Sequence, residues 1–241
     1  MKQTVKIEKK QAKLIAHRGV SGLERENTCA AFVAAGNRSY FGIETDVRVT
    51  ADGQFLIHHD SNLTRLLGID CFVEDKEAAW LRCLQMKDLE GNVRGDLIMP
   101  TLEEYLRICK YYGKIAVLEL KREYAPENIP ALVEAIRQSG WLEHTVFISF
   151  YLNNLIRLRQ LLPGHPIQYL TEEWNDQVEA ELDAYNLDLD IYYKAEGFTA
   201  EKVKALHDAG HKVNVWTVDK LEDAERMIEY GVDFITSNII E

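Results

Sequence analysis

Eight short apolar, β-rich runs recur along this chain of 241 residues, with helix start and stop signals between them. The runs are LIAH at 14–17, GIETDV at 42–47, IAVLEL at 115–120, TVFISF at 145–150, PIQYL at 166–170, LDIYY at 189–193, KVNVWTV at 212–218 and VDFITS at 232–237. Strands that are apolar on both faces need cover on both faces, and a helix following each strand supplies it in a parallel sheet. A count of eight predicts an α/β fold closed into a (β/α)8 TIM barrel; an open doubly wound sheet is the alternative.

The helical gaps carry specific punctuation. Thr101 and Glu104 have capping-box spacing, Leu102, Tyr105, Leu106 and Cys109 form one apolar face, and Gly113 follows as a stop. Asp219 and Glu222 repeat the device before a last helix that Gly231 ends. The regular spacing breaks once, between residues 48 and 114. ADG at 51–53 reads as a tight turn from Thr50 into an extra strand, QFLIHH, and an irregular stretch runs on to Pro100. The expectation is a single domain over 1–241, with a small insertion at about 61–100 after the second barrel strand.

Charge narrows the function classes. Acidic residues outnumber basic ones 39 to 28, a formal charge of -11, which disfavours nucleic acid and anionic lipid and points to a small-molecule partner. A phosphate-bearing ligand would then require local cations or a metal. No run approaches the ~20 apolar residues of a membrane span, and the first residues lack a signal-peptide pattern, so the reading is cytoplasmic without stable membrane association. Cys29, Cys71, Cys83 and Cys109 show no C-x-x-C spacing and read as reduced, mostly packed thiols.

In a barrel of this type the side chains at the carboxyl ends of the strands converge on one face. The polar residues there are His17, Arg18, Glu44, Asp46, Glu119, Lys121, Ser149, Trp216 and Thr236. Glu44 and Asp46, two apart on a strand, point the same way, and Glu119 ends a neighbouring strand. Three converging carboxylates repel unless protonated or bound to a cation. All-oxygen ligation suits one hard divalent ion, Mg²⁺ or Ca²⁺, with Mn²⁺ also compatible; a solvated carboxylate pair is the plainer reading. His17, and His59 at the end of the extra strand, can serve as a proton acceptor and a proton donor near neutral pH. His58 alternates to the opposite side, and His144, His165, His207 and His211 read as surface or loop residues. Arg18 and Lys121 are either phosphate contacts or salt-bridge partners of the acids. Glu26 and Asn27 precede a helical run, with Asn27 or Thr28 as its cap, and a role in holding Arg18 or the metal ligands is compatible with that. Trp216 is either a barrel-packing aromatic or a substrate platform.

The ordered set HRG at 17–19, ENT at 26–28, E-x-D at 44–46, DG at 52–53 and HD at 59–60 resembles the glycerophosphodiester phosphodiesterase family. The likeness continues through PTLEE at 100–104, LELK at 118–121, SF at 149–150, VNVWTV at 213–218 and GVDFITSN at 231–238. The resemblance implies metal-dependent hydrolysis of glycerophosphodiesters to glycerol 3-phosphate and an alcohol. His17 and His59 would be the acid/base pair, Glu44, Asp46 and Glu119 the metal ligands, and Arg18 and Lys121 the phosphate contacts. Two stretches depart from the family pattern. Leu66 and Leu67 stand where threonines are common after the HD motif, and Asn238 stands where an aspartate is common.

Overall fold

The computed structural model describes residues 3–241. Strands β1 (Lys13–Ala16), β2 (Gly42–Val49), β4 (Ile115–Leu120), β5 (Thr145–Ser149), β6 (Ile167–Thr171), β7 (Asp188–Tyr192), β8 (Val213–Trp216) and β9 (Phe234–Ser237) are parallel to their barrel neighbours. Because β1 pairs with both β2 and β9, the sheet closes into the (β/α)8 barrel. The remaining strand, β3 (Phe55–Ile57), lies antiparallel on β2 as a hairpin extension of the rim.

Helices α1 (Cys29–Gly36), α4 (Leu102–Tyr112), α5 (Asn128–Ser139), α6 (Leu152–Leu161), α7 (Asp176–Tyr185), α8 (Ala200–Ala209) and α9 (Leu221–Tyr230) fill the gaps between barrel strands. Local chemistry starts and stops them. Thr101 and Glu104 form the reciprocal capping box of α4, and Gly113 closes that helix at φ 64°. Thr28, rather than Asn27, caps α1, accepting from the Ala31 amide. The last helix does not follow its expected start: Lys220 stands at the cap position of α9 without a side-chain bond. Asp219 turns instead to the loop after β9, where the Asn238 amide groups compete successfully for its carboxylate.

Two apolar layers hold the strand ends in place. Ile15, Val117, Ile148 and Leu170 plug the barrel interior, and a larger cluster packs helices against the outer strand faces. Tyr105 of α4 belongs to the outer layer. Its ring meets Phe32 edge-on at 5.0 Å and its hydroxyl donates to the Ile43 carbonyl at 2.6 Å. Each large aliphatic side chain buried this way contributes roughly 1.5–3 kcal/mol relative to exposure.

Residues 61–100 contain more order than their weak periodicity suggests. Short helices α2 (Thr64–Leu67) and α3 (Ala78–Leu81) accompany a small cluster of Leu56, Leu63, Val73, Ala78, Leu81 and Met99. Helices of one turn leave no periodic signature to read. Two smaller expectations also change. His211, in the loop before β8, is buried rather than on the surface, with its Nε2 2.9 Å from Asp183 of α7. Cys83 is exposed rather than packed, while all four thiols are free, as read.

Candidate active site

The chain leaves β1 in an abrupt turn that sets the first half of the site. Arg18 and Gly19 adopt φ 53° and 76°, and a Cβ on Gly19 would stand 2.7 Å from the Ala31 backbone, so only glycine fits there. This turn aims the Arg18 amide at Glu44 Oε2, 2.7 Å away. The Arg18 guanidinium reaches Glu26 at 2.8 Å and Asp46 at 3.4 Å. Asn27, also at positive φ, donates from Nδ2 to Asp46 at 2.6 Å and accepts from Thr45 at 2.7 Å. Glu26 and Asn27 therefore brace Arg18 and Asp46, and the α1 cap falls to Thr28.

Strand pairing brings the acids together. Asp46 of β2 sits opposite Glu119 of β4, and one oxygen from each of Glu44, Asp46 and Glu119 lies within 4.8 Å of the others. All three are buried. Burial and the charges of Asp46 and Glu119 push Glu44 well above the usual carboxylate range. Burial and Asp46 push Glu119 up to about 7. Asp46 goes the other way despite its burial, because Arg18 and Lys121 hold it ionised. This is the signature of like charges forced into one site without a sufficient counter-ion. Lys121 stands 2.7 Å from Glu119 Oε1 and 3.4 Å from Asp46 Oδ1, yet neither oxygen receives an aligned hydrogen bond. A hard cation would satisfy both, and the all-oxygen donor set fits one.

The two imidazoles reach the cleft from separate supports, His17 from the end of β1 and His59 from the end of β3. His17 Nδ1 lies 2.7 Å from Asn238 Oδ1, and Nε2 lies 3.9 Å from Glu44 Oε2. Burial and the Arg18 charge push His17 down to about 4, which favours the neutral ring. His59, just beyond β3, has Nδ1 2.7 Å from Asp60 Oδ1. Its pKa is also lowered by burial, against the opposing pull of Asp46 and Asp60. Arg65 of α2 then spans from Asp60 to Glu26, with contacts of 2.5 and 2.7 Å, tying the partner of His59 to the partner of Arg18. His58 faces away and is buried.

His17, Arg18, Glu44, His59, Glu119 and Lys121 line one cleft of about 80 Å³. Its far wall is Ile148, Phe150, Leu170, Asp190 and Trp216. Trp216 packs against the barrel plug and also lines the cleft, between Phe150 and Tyr192 at centroid distances of 5.7 and 5.8 Å. Thr236 lines the cleft, whereas Ser149 is buried and donates to the Leu120 carbonyl. Asp60, Arg65, Asp190 and Asn238 carry no site role from the sequence pattern, and Asp219 reads there as a helix cap. Asp60 has a local signal as the second residue of the HD pair, and Asn238 has one as a departure from the family pattern.

Comparison with known proteins agrees with this geometry. The model of the glycerophosphoryl diester phosphodiesterase family matches residues 17–241. A glycerophosphodiester phosphodiesterase of Caldanaerobacter subterraneus is 30% identical over 232 residues, covering 93% of each chain. A solved Oleispira antarctica phosphodiesterase, in complex with the product sn-glycerol-3-phosphate, superimposes with a TM-score of 0.84 at 28% identity, covering 95% of this chain and 94% of that one. A lysophospholipase D of Mus musculus is 41% identical over 180 residues, which are 73% of this chain and 49% of the mouse protein. With the barrel, the clustered strand-end residues and a family match over nearly the whole length, the chain belongs to the glycerophosphoryl diester phosphodiesterase family.

Proposed function

We propose that this protein hydrolyses glycerophosphodiesters to glycerol 3-phosphate and an alcohol, with one divalent metal ion, Mg²⁺ or Ca²⁺, and His17 and His59 as the proton-transfer pair. The observation that carries this reading is the cleft shared by both histidines, the cations Arg18 and Lys121 and the acids Glu44 and Glu119, with Asp46 beside them. Residues 1–241 would work as one domain with 61–100 inserted at the rim. The acidic charge and free thiols favour action in the cytoplasm on head-group diesters left after lipid deacylation.

Glu44, Asp46 and Glu119 would hold the ion, which offsets phosphate charge and makes a bound hydroxyl easier to deprotonate. Arg18 and Lys121 bind the phosphate oxygens, a planar fork and a point charge that compensate for an overall acidic surface. His17, neutral and with Nε2 turned to the cleft, accepts the proton of the attacking hydroxyl, either the neighbouring glycerol hydroxyl or water. His59 donates its proton to the oxygen of the departing alcohol as the phosphorus–oxygen bond breaks. The Asp60 carboxylate on Nδ1 favours the protonated His59 ring; the Asn238 amide also favours protonated His17, but burial and the Arg18 charge outweigh it. Trp216 and Phe150 offer apolar faces to the substrate carbon skeleton.

The direct test is incubation of the purified protein and Mg²⁺ with glycerophosphoethanolamine. Glycerol 3-phosphate should appear by enzymatic assay and stop appearing on addition of chelator. Metal-independent release, or none with any divalent ion, contradicts the reading. A second reading, action on lysophospholipids, is favoured by the likeness to the mouse lysophospholipase D and by the half-exposed Phe150 and Tyr151 at the rim. Lysophosphatidic acid formed from lysophosphatidylcholine, at a rate above that for the deacylated diester, would establish it.

A further inference from the structure

The residue after β9 decides which nitrogen of His17 carries the proton. Asn238 Oδ1 lies 2.7 Å from His17 Nδ1, while Asn238 Nδ2 lies 2.6 Å from Asp219 Oδ2. The orientation of a side-chain amide is read from its partners. A carboxylate cannot donate, so the Asp219 side must receive the Asn238 NH₂ group, leaving the amide oxygen for the imidazole. Asp219 is itself fixed. It accepts from the Asn238 backbone amide at 2.8 Å and from the Ser237 hydroxyl at 3.0 Å. Ser21 donates to the same amide oxygen at 2.5 Å, giving Oδ1 a second donor. An oxygen so placed only accepts, and His17 Nδ1 can bond to it only as N–H. The lone pair then sits on Nε2, which faces Glu44 and the cleft.

We propose that Asn238 and Asp219 are positioning residues that hold His17 as its Nδ1–H tautomer, with Nε2 aimed at the attacking oxygen. This rests on the reading of His17 as proton acceptor. A neutral amide does this without adding a further negative charge to a mouth that already holds three carboxylates. The exposed Asp219 gives the amide its polarity, so the orienting information comes from the β8–α9 loop rather than from the strand that carries the histidine.

The test joins spectroscopy to kinetics on the full chain with Mg²⁺. In ¹⁵N-histidine-labelled protein, with the His17 signals assigned by comparison with His17→Gln, Nδ1 should show the shift of a protonated ring nitrogen and Nε2 that of a lone-pair nitrogen. Asn238→Leu removes the acceptor. Its kcat on glycerophosphoethanolamine should fall on the order of tenfold to a hundredfold, part of what a positioned base supplies, with KM within about twofold. The double variant Asn238→Asp, Asp219→Asn keeps an acceptor on Nδ1 and an amide beside it, and should recover most of the loss together with the Nδ1–H signal. Asp219→Leu frees the amide to flip and should mix the two tautomers. Both positions are at least partly solvent-exposed, so these variants spare the core. A lone-pair shift at Nδ1 overturns the proposal. So does an Asn238→Leu enzyme of unchanged kcat beside an inactive His17→Gln, or failure of the Asn238→Asp, Asp219→Asn double variant to recover. If His17→Gln itself keeps full activity, the proton-acceptor reading falls and this inference falls with it.

Discussion

The two histidines of the cleft are mounted on opposite kinds of support. His17 stands where β1 leaves the barrel wall, and its partners Asn238 and Asp219 are themselves held by backbone and hydroxyl groups at the ends of β8 and β9. His59 stands outside the wall, on the hairpin extension, and its partner Asp60 is held by Arg65 from the 61–100 stretch, whose side chain is 46% exposed. One mount meets its ring through a neutral amide and is set largely by main-chain geometry; the other meets its ring through a carboxylate and is set by ion pairs on a small satellite core. A fixed neutral ring suits accepting a proton, and a ring backed by a carboxylate suits giving one. Under the proposed roles, the support set by the main chain would meet the attacking atom and the ion-paired support would face the departing head group.

A large effect should come from Asp46, whose charge acts on both histidines. Asp46 touches Arg18, Lys121 and Asn27, and Asp46→Ala should lower kcat/KM by about 10²-fold or more, as expected when a preorganised charge is lost. Mg²⁺ should raise the melting temperature of the parent protein, and Asp46→Ala should erase that rise, both checked by calorimetry. A variant that keeps both would remove Asp46 from the metal site.

Leu81→Ala sharpens the contrast in stability. Deleting a fully buried leucine costs roughly 2–5 kcal/mol, and here the loss should fall on the satellite cluster rather than on the barrel. Hydrogen exchange should quicken across 61–100 with β4 to β9 unchanged. Uniform quickening would mean that the two regions unfold together.

Arg65→Met should slow turnover only a few-fold, and added salt should reproduce part of that in the parent protein, since an exposed ion pair is screened. The same variant makes a pH prediction. Glu26, opposed by burial but outweighed by its bonds and charge contacts with Arg65 and Arg18, is held down at about 2, and Asp60 likewise by Arg65 and His59. Acids with depressed folded-state values stabilise the fold above their unfolded values, near 4, and lose that stabilisation as pH falls through the folded ones. The gap in melting temperature between parent and Arg65→Met should therefore be full above about pH 5, shrink below it, and close near pH 2. A gap constant with pH would show that Arg65 acts through packing alone.

The barrel and much of its mouth were legible because strand periodicity is two: Glu44 and Asp46 must share a face, and the run that ends in Glu119 must lie beside theirs. The supports were not legible. Asp219 precedes a helix and looks like its cap, yet the amide groups of Asn238 hold it, a contact made only when the barrel closes. Arg65 lies in a one-turn helix, where no hydrophobic period marks its direction. His211 is a loop residue, and only the fold shows it buried with Asp183 of α7 on its ring. Residues that do chemistry sit at strand ends, which pattern finds; residues that aim them arrive from distant loops, which it does not.

The division of labour between the histidines is tested most directly by the leaving group. A p-nitrophenyl ester of glycerol phosphate releases an alcohol that departs without a proton, whereas the ethanolamine diester needs one. His17→Ala should lose activity on both substrates to a similar degree, on the order of 10²–10⁴-fold for a missing base. His59→Ala should lose as much on the ethanolamine diester but retain most of the parent rate on the nitrophenyl ester. Equal losses for His59→Ala on both substrates, or rescue of His17→Ala by the better leaving group, would contradict the assignment.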